Sequence, residues 1–495
     1  MRVQLLNDEH TNLEFKSLHL TNWSELVDDF GLEPILNIMS GGDQFFRNVV
    51  IDVLSRPLLD PKSIFYRQQA LKDVLKNRHV VEKLYETPVR VREQKRRNWL
   101  GILGVKTPSN VLHGARNYLE ILVDGLTELR NIADAYAESF ELPAFKNFFK
   151  TVKTELDDRY LTSLRKHLEN LKFTSGVHVI SYLGTGCEGT GYTLAIPNKV
   201  RGLRNLFKHP RSYTIKLNPR DDAGLSFLEE LRNMSLQSVA QATACATEFI
   251  EKFFLNLQFE TAFCLACLNL ADKIRELGLP MTFPEALQVE SNVLEFENPY
   301  NLSLALISNS KIVPNTLKAK GKQLFVIMGA NKREKTAFLR SLGIAFTMMQ
   351  AGLFVPANHF RAPISYGLFT HFRREEDRNL RVGKLEEEEL VRMKAIINNI
   401  KPRSLLLLNE SFSSTNEYEA FEIAYQIIRA LLENHVTVFY VTHLYDFASR
   451  FKDSREALFL ESERRENGER TFRIIESRPT FTSYALELYK RIFNV

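Results

Sequence analysis

The chain has 495 residues, of which 44% are hydrophobic and 25% charged, a composition that excludes wholesale disorder and, at this length, a single core. Its 65 basic side chains against 60 acidic ones leave a formal charge of +5, so affinity for a polyanion has to come from local clusters and not from the total. The N-terminal residues show no basic start followed by an apolar run, no stretch reaches the roughly eighteen consecutive apolar residues of a membrane span, and four cysteines are too few for a disulfide scaffold; a cytoplasmic location without membrane contact is the expectation.

From residue 22 to 86, apolar side chains recur at three- and four-residue spacing, interrupted at Arg56-Pro57 and Asp60-Pro61. Two helices joined by a turn are predicted there. A basic cluster follows, Arg90, Arg92, Lys95, Arg96 and Arg97, diluted by Glu86 and Glu93; it serves either a polyanion or acidic partner helices. Helical periodicity resumes over 114–171 and again over 224–277, runs long enough to predict an extended arm. Within the second run Cys264 and Cys267 lie three apart on one helix face, which favours core packing over a metal site.

Between the long runs, VHVISYL, YTLAI and SYTIKL predict three strands, a small β excursion at about 173–220. Its Gly184, Gly186 and Gly189 have a G-x-G-x-x-G spacing, but no helix with a suitably placed acidic residue follows, so hairpin turns are favoured over a dinucleotide fingerprint. Residues 189–220 carry Lys199, Arg201, Arg204, Lys208, Arg211, Lys216 and Arg220 without one Asp or Glu. That one-sided charge fits a surface tracking the phosphates of double-stranded or branched DNA; a solvated basic loop is the alternative.

From about residue 294, short apolar strands (QLFVIM, SLLLL, VTVFYV, ALFLE) alternate with helical stretches, the pattern of an α/β sheet with covering helices. The expected division is 1–279 and 280–495. The strand at 323–328 runs into GANKREKT and then a helix, the context of a phosphate-binding loop with Gly329, Lys335 and Thr336 at the G, K and S/T positions. Glu334 occupies the place of the second glycine, where backbone N–H groups approach phosphate closely. A carboxylate there repels phosphate by about 4 kcal/mol at an effective dielectric of 20, unless Lys332 and Arg333 offset it or the side chain turns outward. Taken alone, the loop is equally a polar turn.

The segments around it carry more. AGLFVPA (351–357), LFTHFRREED (368–377), SLLLLNESFSSTNEYEA (404–420) and VTH (441–443), together with Ala330-Asn331 after the loop glycine, the segment at 54–75 and TSYALELYKR (482–491), resemble the MutS family in order and spacing. The resemblance implies a C-terminal α/β P-loop, ABC-type ATPase domain. It implies in addition a mostly α-helical core and lever domain whose β excursion is clamp-like. It further implies ATP and Mg²⁺ as cofactors, a homodimer joined through the ATPase domains, and nucleotide-controlled clamping on DNA. Gly329, Asn331 and Lys335 would hold phosphates, Thr336 and Asn409 would hold Mg²⁺, Glu410 would activate water, and His443 would sense the γ-phosphate.

The chain departs from the family pattern at Glu334 and at Asn409, where an amide replaces the first carboxylate of an acidic pair. A further departure is GKLEEEEL (383–390), which stands where the family has a Ser-Thr-Phe stretch reaching the partner's nucleotide. For the last, a solvated acidic first turn of a helix is expected. No Phe-x-Glu wedge precedes the core segment, so reading of single mispairs is not expected. ATP hydrolysis is left open, and a scaffold with a degenerate ATPase fold is the alternative.

Overall fold

The computed structural model describes residues 2–7, 20–98, 107–174, 176–195, 214–308, 313, 315–329, 333–373, 382–412, 416–464 and 470–478. In place of the two helices expected near the start, the described residues form α1 (Trp23–Phe30), α2 (Glu33–Ser40), α3 (Gln44–Leu54), α4 (Pro61–Lys76) and α5 (Arg78–Asn98). The extra breaks have local causes. Gly31 and Gly41 adopt left-handed conformations (φ 66° and 56°) that close α1 and α2. The carboxylates of Asp43 and Asp60 accept from the first free N–H groups of α3 and α4.

The predicted run at 114–171 is likewise three helices, α6 (Pro108–Tyr136), α7 (Pro143–Glu155) and α8 (Asp158–Asn170). Thr107 and Asp157 cap α6 and α8. The β excursion is an antiparallel hairpin of β1 (Val179–Leu183) and β2 (Gly189–Leu194), turned through Thr185–Cys187 with Gly186 at φ 82°. Of the third β-rich segment, at 212–217, the described residues 214–217 have no ladder partner among the described residues. Beyond the hairpin, α9 (Asp222–Glu276) runs unbroken for 55 residues. It includes an 18-residue window of mean hydropathy 1.3, but 72% of that window is buried within the protein, the mark of a core helix. Cys264 and Cys267 are both buried in it, and burial pushes the Cys267 thiol well up.

The rest of the chain supplies β3 (Glu285–Leu287), β4 (Val293–Glu297), α10 (Leu302–Ile307), β5 (Thr316–Lys320), β6 (Leu324–Met328), α11 (Arg333–Gln350), β7 (His359–Pro363) and β8 (Leu368–Phe372). It continues with α12 (Val382–Asn399), β9 (Leu405–Asn409), α13 (Glu417–Glu433), β10 (Thr437–Val441), α14 (Tyr445–Arg450), β11 (Ala457–Arg464) and β12 (Arg470–Glu476).

Two compact units result, one of Met1–Val3, His79–Glu141 and Phe145–Thr261, the other of Gln4–Arg78, Leu142–Ala144 and Ala262–Val495. In the first, α6 approaches its neighbours at Gly125, where a Cβ would lie 2.6 Å from Val91 and 2.9 Å from Phe254. The basic cluster on α5 is partly spent in this unit. Arg90 pairs with Glu128, and Lys95 pairs with Glu251 at 2.6 Å while lying 4.2 Å above the Tyr118 ring.

In the second unit, a six-stranded sheet has the order β12-β11-β6-β10-β9-β8, parallel except at β12. A four-stranded sheet has the order β3-β7-β4-β5. β6 and β9 are almost wholly buried, as continuous apolar runs in a parallel sheet covered on both faces should be.

Arg67 explains why the N-terminal helices belong to this second unit. Only 5% exposed, its guanidinium donates to the Leu6 carbonyl (3.0 Å), the Ala351 carbonyl (2.9 Å) and Asn7 Oδ1 (2.8 Å). Gln68 beside it donates to the Pro284 carbonyl at 2.9 Å. Removing the guanidinium leaves the buried Leu6 and Ala351 carbonyls without their donor, at about 1 to 3 kcal/mol each. Arg67→Ala should therefore lower unfolding stability in urea by about 3 kcal/mol or more; a loss below about 1 kcal/mol would show the bonds to be incidental.

Candidate functional site

The carboxyl ends of β6, β8, β9 and β10 lie side by side because the ladders are in register. Ile327 pairs with Val441, Val441 with Asn409, and Asn409 with Phe372. The residues leaving these strands meet at one edge of the sheet, the edge where ligands bind in open α/β sheets.

Gly329 follows β6 at φ 127°, backbone that a side-chain-bearing residue rarely adopts. Asn331, together with Ala330 and Lys332, lies outside the described residues. Lys335, in the first turn of α11, is 1% exposed, and its Nζ donates to the Gly329 carbonyl at 3.0 Å. An ammonium is buried at such cost only where acceptors or anions hold it. The next residue, Thr336, donates its hydroxyl to Asn409 Oδ1 at 3.4 Å. Glu334 is half-buried in the first turn of α11, where the positive end of the helix favours a carboxylate; it is not turned wholly into solvent.

Glu410 leaves β9 in a left-handed conformation (φ 53°), as does Phe412 (φ 64°). Each costs on the order of 1 to 2 kcal/mol for a residue with a side chain. The Glu410 N–H donates to the Val441 carbonyl at 2.9 Å, and its carboxylate lies 4.0 Å from Arg373 at the end of β8, with both side chains part-exposed. Such a pair is worth at most about 1 kcal/mol. His443, two residues past β10, is exposed, while Thr442 before it is buried and accepts the Leu444 N–H on its hydroxyl at 3.1 Å.

Sequence reasoning missed the layer beneath Glu410. His371 on β8 is fully buried, with Nδ1 2.8 Å from Ser411 Oγ and Nε2 3.1 Å from the Glu389 carbonyl. Tyr440 donates to the Ser411 carbonyl at 3.3 Å. A histidine inside the buried strand LFTHF was the available signal. The acidic run at 386–389 needs correction as well. α12 begins at Val382, so these residues lie beyond its first turn, and Glu389 is buried although Glu387 and Glu388 are exposed. Among Glu387, Glu388 and Glu389, helix periodicity buries the last alone.

Of the basic residues singled out in the β excursion, Lys199, Arg201, Arg204, Lys208 and Arg211 lie outside the described residues; Lys216 and Arg220 are exposed.

Comparison with known proteins agrees with this arrangement. Residues 59–277 match the MutS2 N-terminal domain and residues 325–492 match MutS domain V. The chain belongs to the MutS family. It is 31% identical over 172 residues to a DNA mismatch repair protein MutS of Desulfosudis oleivorans, covering 33% of this chain and 19% of that protein. It is 23% identical over 324 residues to MutS protein homolog 4 of Homo sapiens, covering 62% of this chain and 33% of the other. With the MutS of Desulfitobacterium hafniense it shares 24% over 249 residues, 47% of this chain and 28% of that one. The chain thus spans about a third or less of the length of these curated relatives.

This MutS-family sheet contains a phenol whose titration reports on the site. Burial pushes Tyr440 above its ordinary 10.0, and the Glu389 charge adds to the rise against a hydrogen bond from Thr442. Tyr118 and Tyr300 are raised too, each chiefly by burial. For a raised phenol the stability is fully present below about pH 10 and is lost as pH climbs further, because the unfolded phenol ionises first. Tyr440→Phe should therefore shallow the alkaline loss of stability by up to about 1.4 kcal/mol per pH unit, measured as urea midpoints from pH 9 to 11.5. An unchanged slope would place Tyr440 in contact with solvent.

Proposed function

We propose that this chain is an ATP-dependent DNA-binding protein of the MutS type, whose nucleotide state governs clamping on double-stranded or branched DNA and which works as a homodimer. The buried Lys335 on the Gly329 carbonyl, beside Thr336 and Asn409 and one strand away from His443, is the observation that carries this reading. The site fits a nucleotide phosphate: a desolvated ammonium after a glycine with unusual backbone is the donor set a phosphate loop uses. For Mg²⁺ the fit is weaker, because the oxygens of Thr336 and Asn409 are both neutral and this ion prefers at least one carboxylate.

In this reading Lys335 holds phosphate oxygens, Thr336 and Asn409 orient the metal shell, and Glu410 takes a proton from water, while His443 responds to the terminal phosphate. The cofactor would supply the energy difference between two clamping states, so slow turnover is sufficient. The DNA-facing surface is proposed on charge alone, in the acid-free stretch 189–220. A second reading, a scaffold that binds no nucleotide, is favoured by Asn409 and Glu334 specifically.

Titration with a fluorescent ATP analogue separates the two. Saturable binding to the native chain that falls at least tenfold in Lys335→Ala supports the switch, and no binding to the native chain leaves the scaffold. Steady-state hydrolysis should exceed that of Glu410→Gln; equal rates would retire hydrolysis while leaving nucleotide-controlled binding.

For DNA, neutralising Arg201, Arg204 and Lys208 together should weaken duplex binding and reduce the slope of log K against log salt by up to about three units. An unaltered slope would move the DNA surface elsewhere.

A further inference from the structure

The turn after β9 places two left-handed residues, Glu410 and Phe412, on either side of Ser411, and strained backbone of this kind persists only where its surroundings hold it. His371 holds it through two contacts, beside the bonds from Tyr440 and to Val441. Its imidazole contacts Ser411 Oγ at 2.8 Å and stacks on the Phe412 ring at 5.6 Å between centroids, 27° from parallel. Ser411 Oγ lies 2.9 Å from the His371 carbonyl as well, so the one hydroxyl hydrogen has two acceptors within reach, that carbonyl and Nδ1.

The opposite ring nitrogen faces the Glu389 carbonyl of α12 at 3.1 Å. A carbonyl can only accept, so Nε2 carries the hydrogen. Arg392, one helical turn on, donates to the Phe372 carbonyl at 3.1 Å and fixes α12 to β8 a second time. A single fully buried ring therefore joins α12 on one side to the residues following Glu410 on the other.

We propose that His371 is the positioning residue of the Glu410 turn and that it makes α12 and this turn one mechanical unit, so that a displacement of α12 resets the reach of the Glu410 carboxylate. The inference rests on the proposed role of Glu410 only for its consequence in turnover; the mechanical tie stands on the geometry.

Hydrogen exchange of the full chain tests the tie without any need for turnover. His371→Ala should raise exchange together in residues 409–412 and 386–392 while leaving β11 unchanged; exchange rising in one segment alone, or across the whole sheet, would overturn it. Two conservative variants divide the ring's contacts and guard against simple misfolding. An asparagine amide can follow Nδ1, so His371→Asn should keep 409–412 protected and loosen 386–392; a glutamine amide can follow Nε2, so His371→Gln should do the reverse. The same response in both variants would overturn the division.

If the native chain hydrolyses ATP faster than Glu410→Gln, then His371→Ala and Ser411→Ala should each lower kcat about 10- to 100-fold. The Kd for the fluorescent analogue should hold within twofold, and the double variant should fall no further, as expected for residues acting as a unit. A loss confined to Kd, or losses that multiply, would overturn positioning. If native and Glu410→Gln rates are equal, the hydrolysis reading fails by itself and the exchange arms still decide the tie.

Discussion

The in-register parallel ladder of β6, β10, β9 and β8 is the constraint on which the rest of the site depends. Residues 329, 373, 410 and 443 are far apart in sequence, and they reach one edge because Ile327, Val441, Asn409 and Phe372 are laddered neighbours. A slip of one residue in any of these strands would turn its side chains to the opposite face. The slip is resisted by burial: Leu406, Leu408, Val326, Val438 and Tyr440 face one core, and Phe325 stacks on Phe439 across the ladder at 4.2 Å. Apolar packing in mid-strand thus sets polar geometry at the strand ends.

A second constraint ties the N-terminal helices to the sheets through polar groups. Arg67 reaches carbonyls at residues 6 and 351, and Gln68 reaches residue 284. These are directional bonds made where water cannot substitute, so they fix orientation as well as contributing energy. Gly352 fits the same arrangement, since a Cβ there would lie 2.8 Å from the Arg67 side chain. An Ile-x-x-Arg-Gln element in the sequence acquires a physical meaning from this: its isoleucine is core and its polar pair binds backbone from distant parts of the chain.

What the sequence made legible follows from how local each signal is. The strands of the six-stranded sheet that it announced, β6, β9, β10 and β11, are the ones with continuous apolar runs. The four-stranded sheet went unseen because β4, β5 and β7 bury alternate residues only, leaving Glu295, Lys318 and Arg361 to interrupt short runs. Helix number was underestimated for a related reason. Apolar periodicity continues across Gly31 and Gly41, whereas the chain direction does not, because each glycine takes a conformation that ends the helix. Gly329, Lys335 and Thr336 were singled out by loop spacing, and Asn409 and Glu410 by family resemblance; His371, Glu389 and Tyr440 belong to no such motif, since their contacts arise between elements more than fifteen residues apart.

The strain at Glu410 bears on the choice between a switch and a scaffold. Of the residues described in the turn, Glu410, Ser411 and Phe412, none is glycine, yet two hold left-handed backbone, at a combined cost on the order of 2 to 4 kcal/mol. Phe412 offsets its share by packing in the core, but glycine at 410 would relieve the strain there with no loss of core packing, and a fold kept merely as a scaffold gains nothing from a strained glutamate. What the conformation does accomplish is to turn the Glu410 N–H onto the Val441 carbonyl and to leave the carboxylate part-exposed at the strand edge, next to Arg373. In the proposed function, Asn409 and Glu334 would weaken the hold on metal and phosphate, a loss that added ligand or magnesium offsets by mass action. The strained turn is a property of the protein alone, which concentration cannot supply, and it points toward a carboxylate held in readiness.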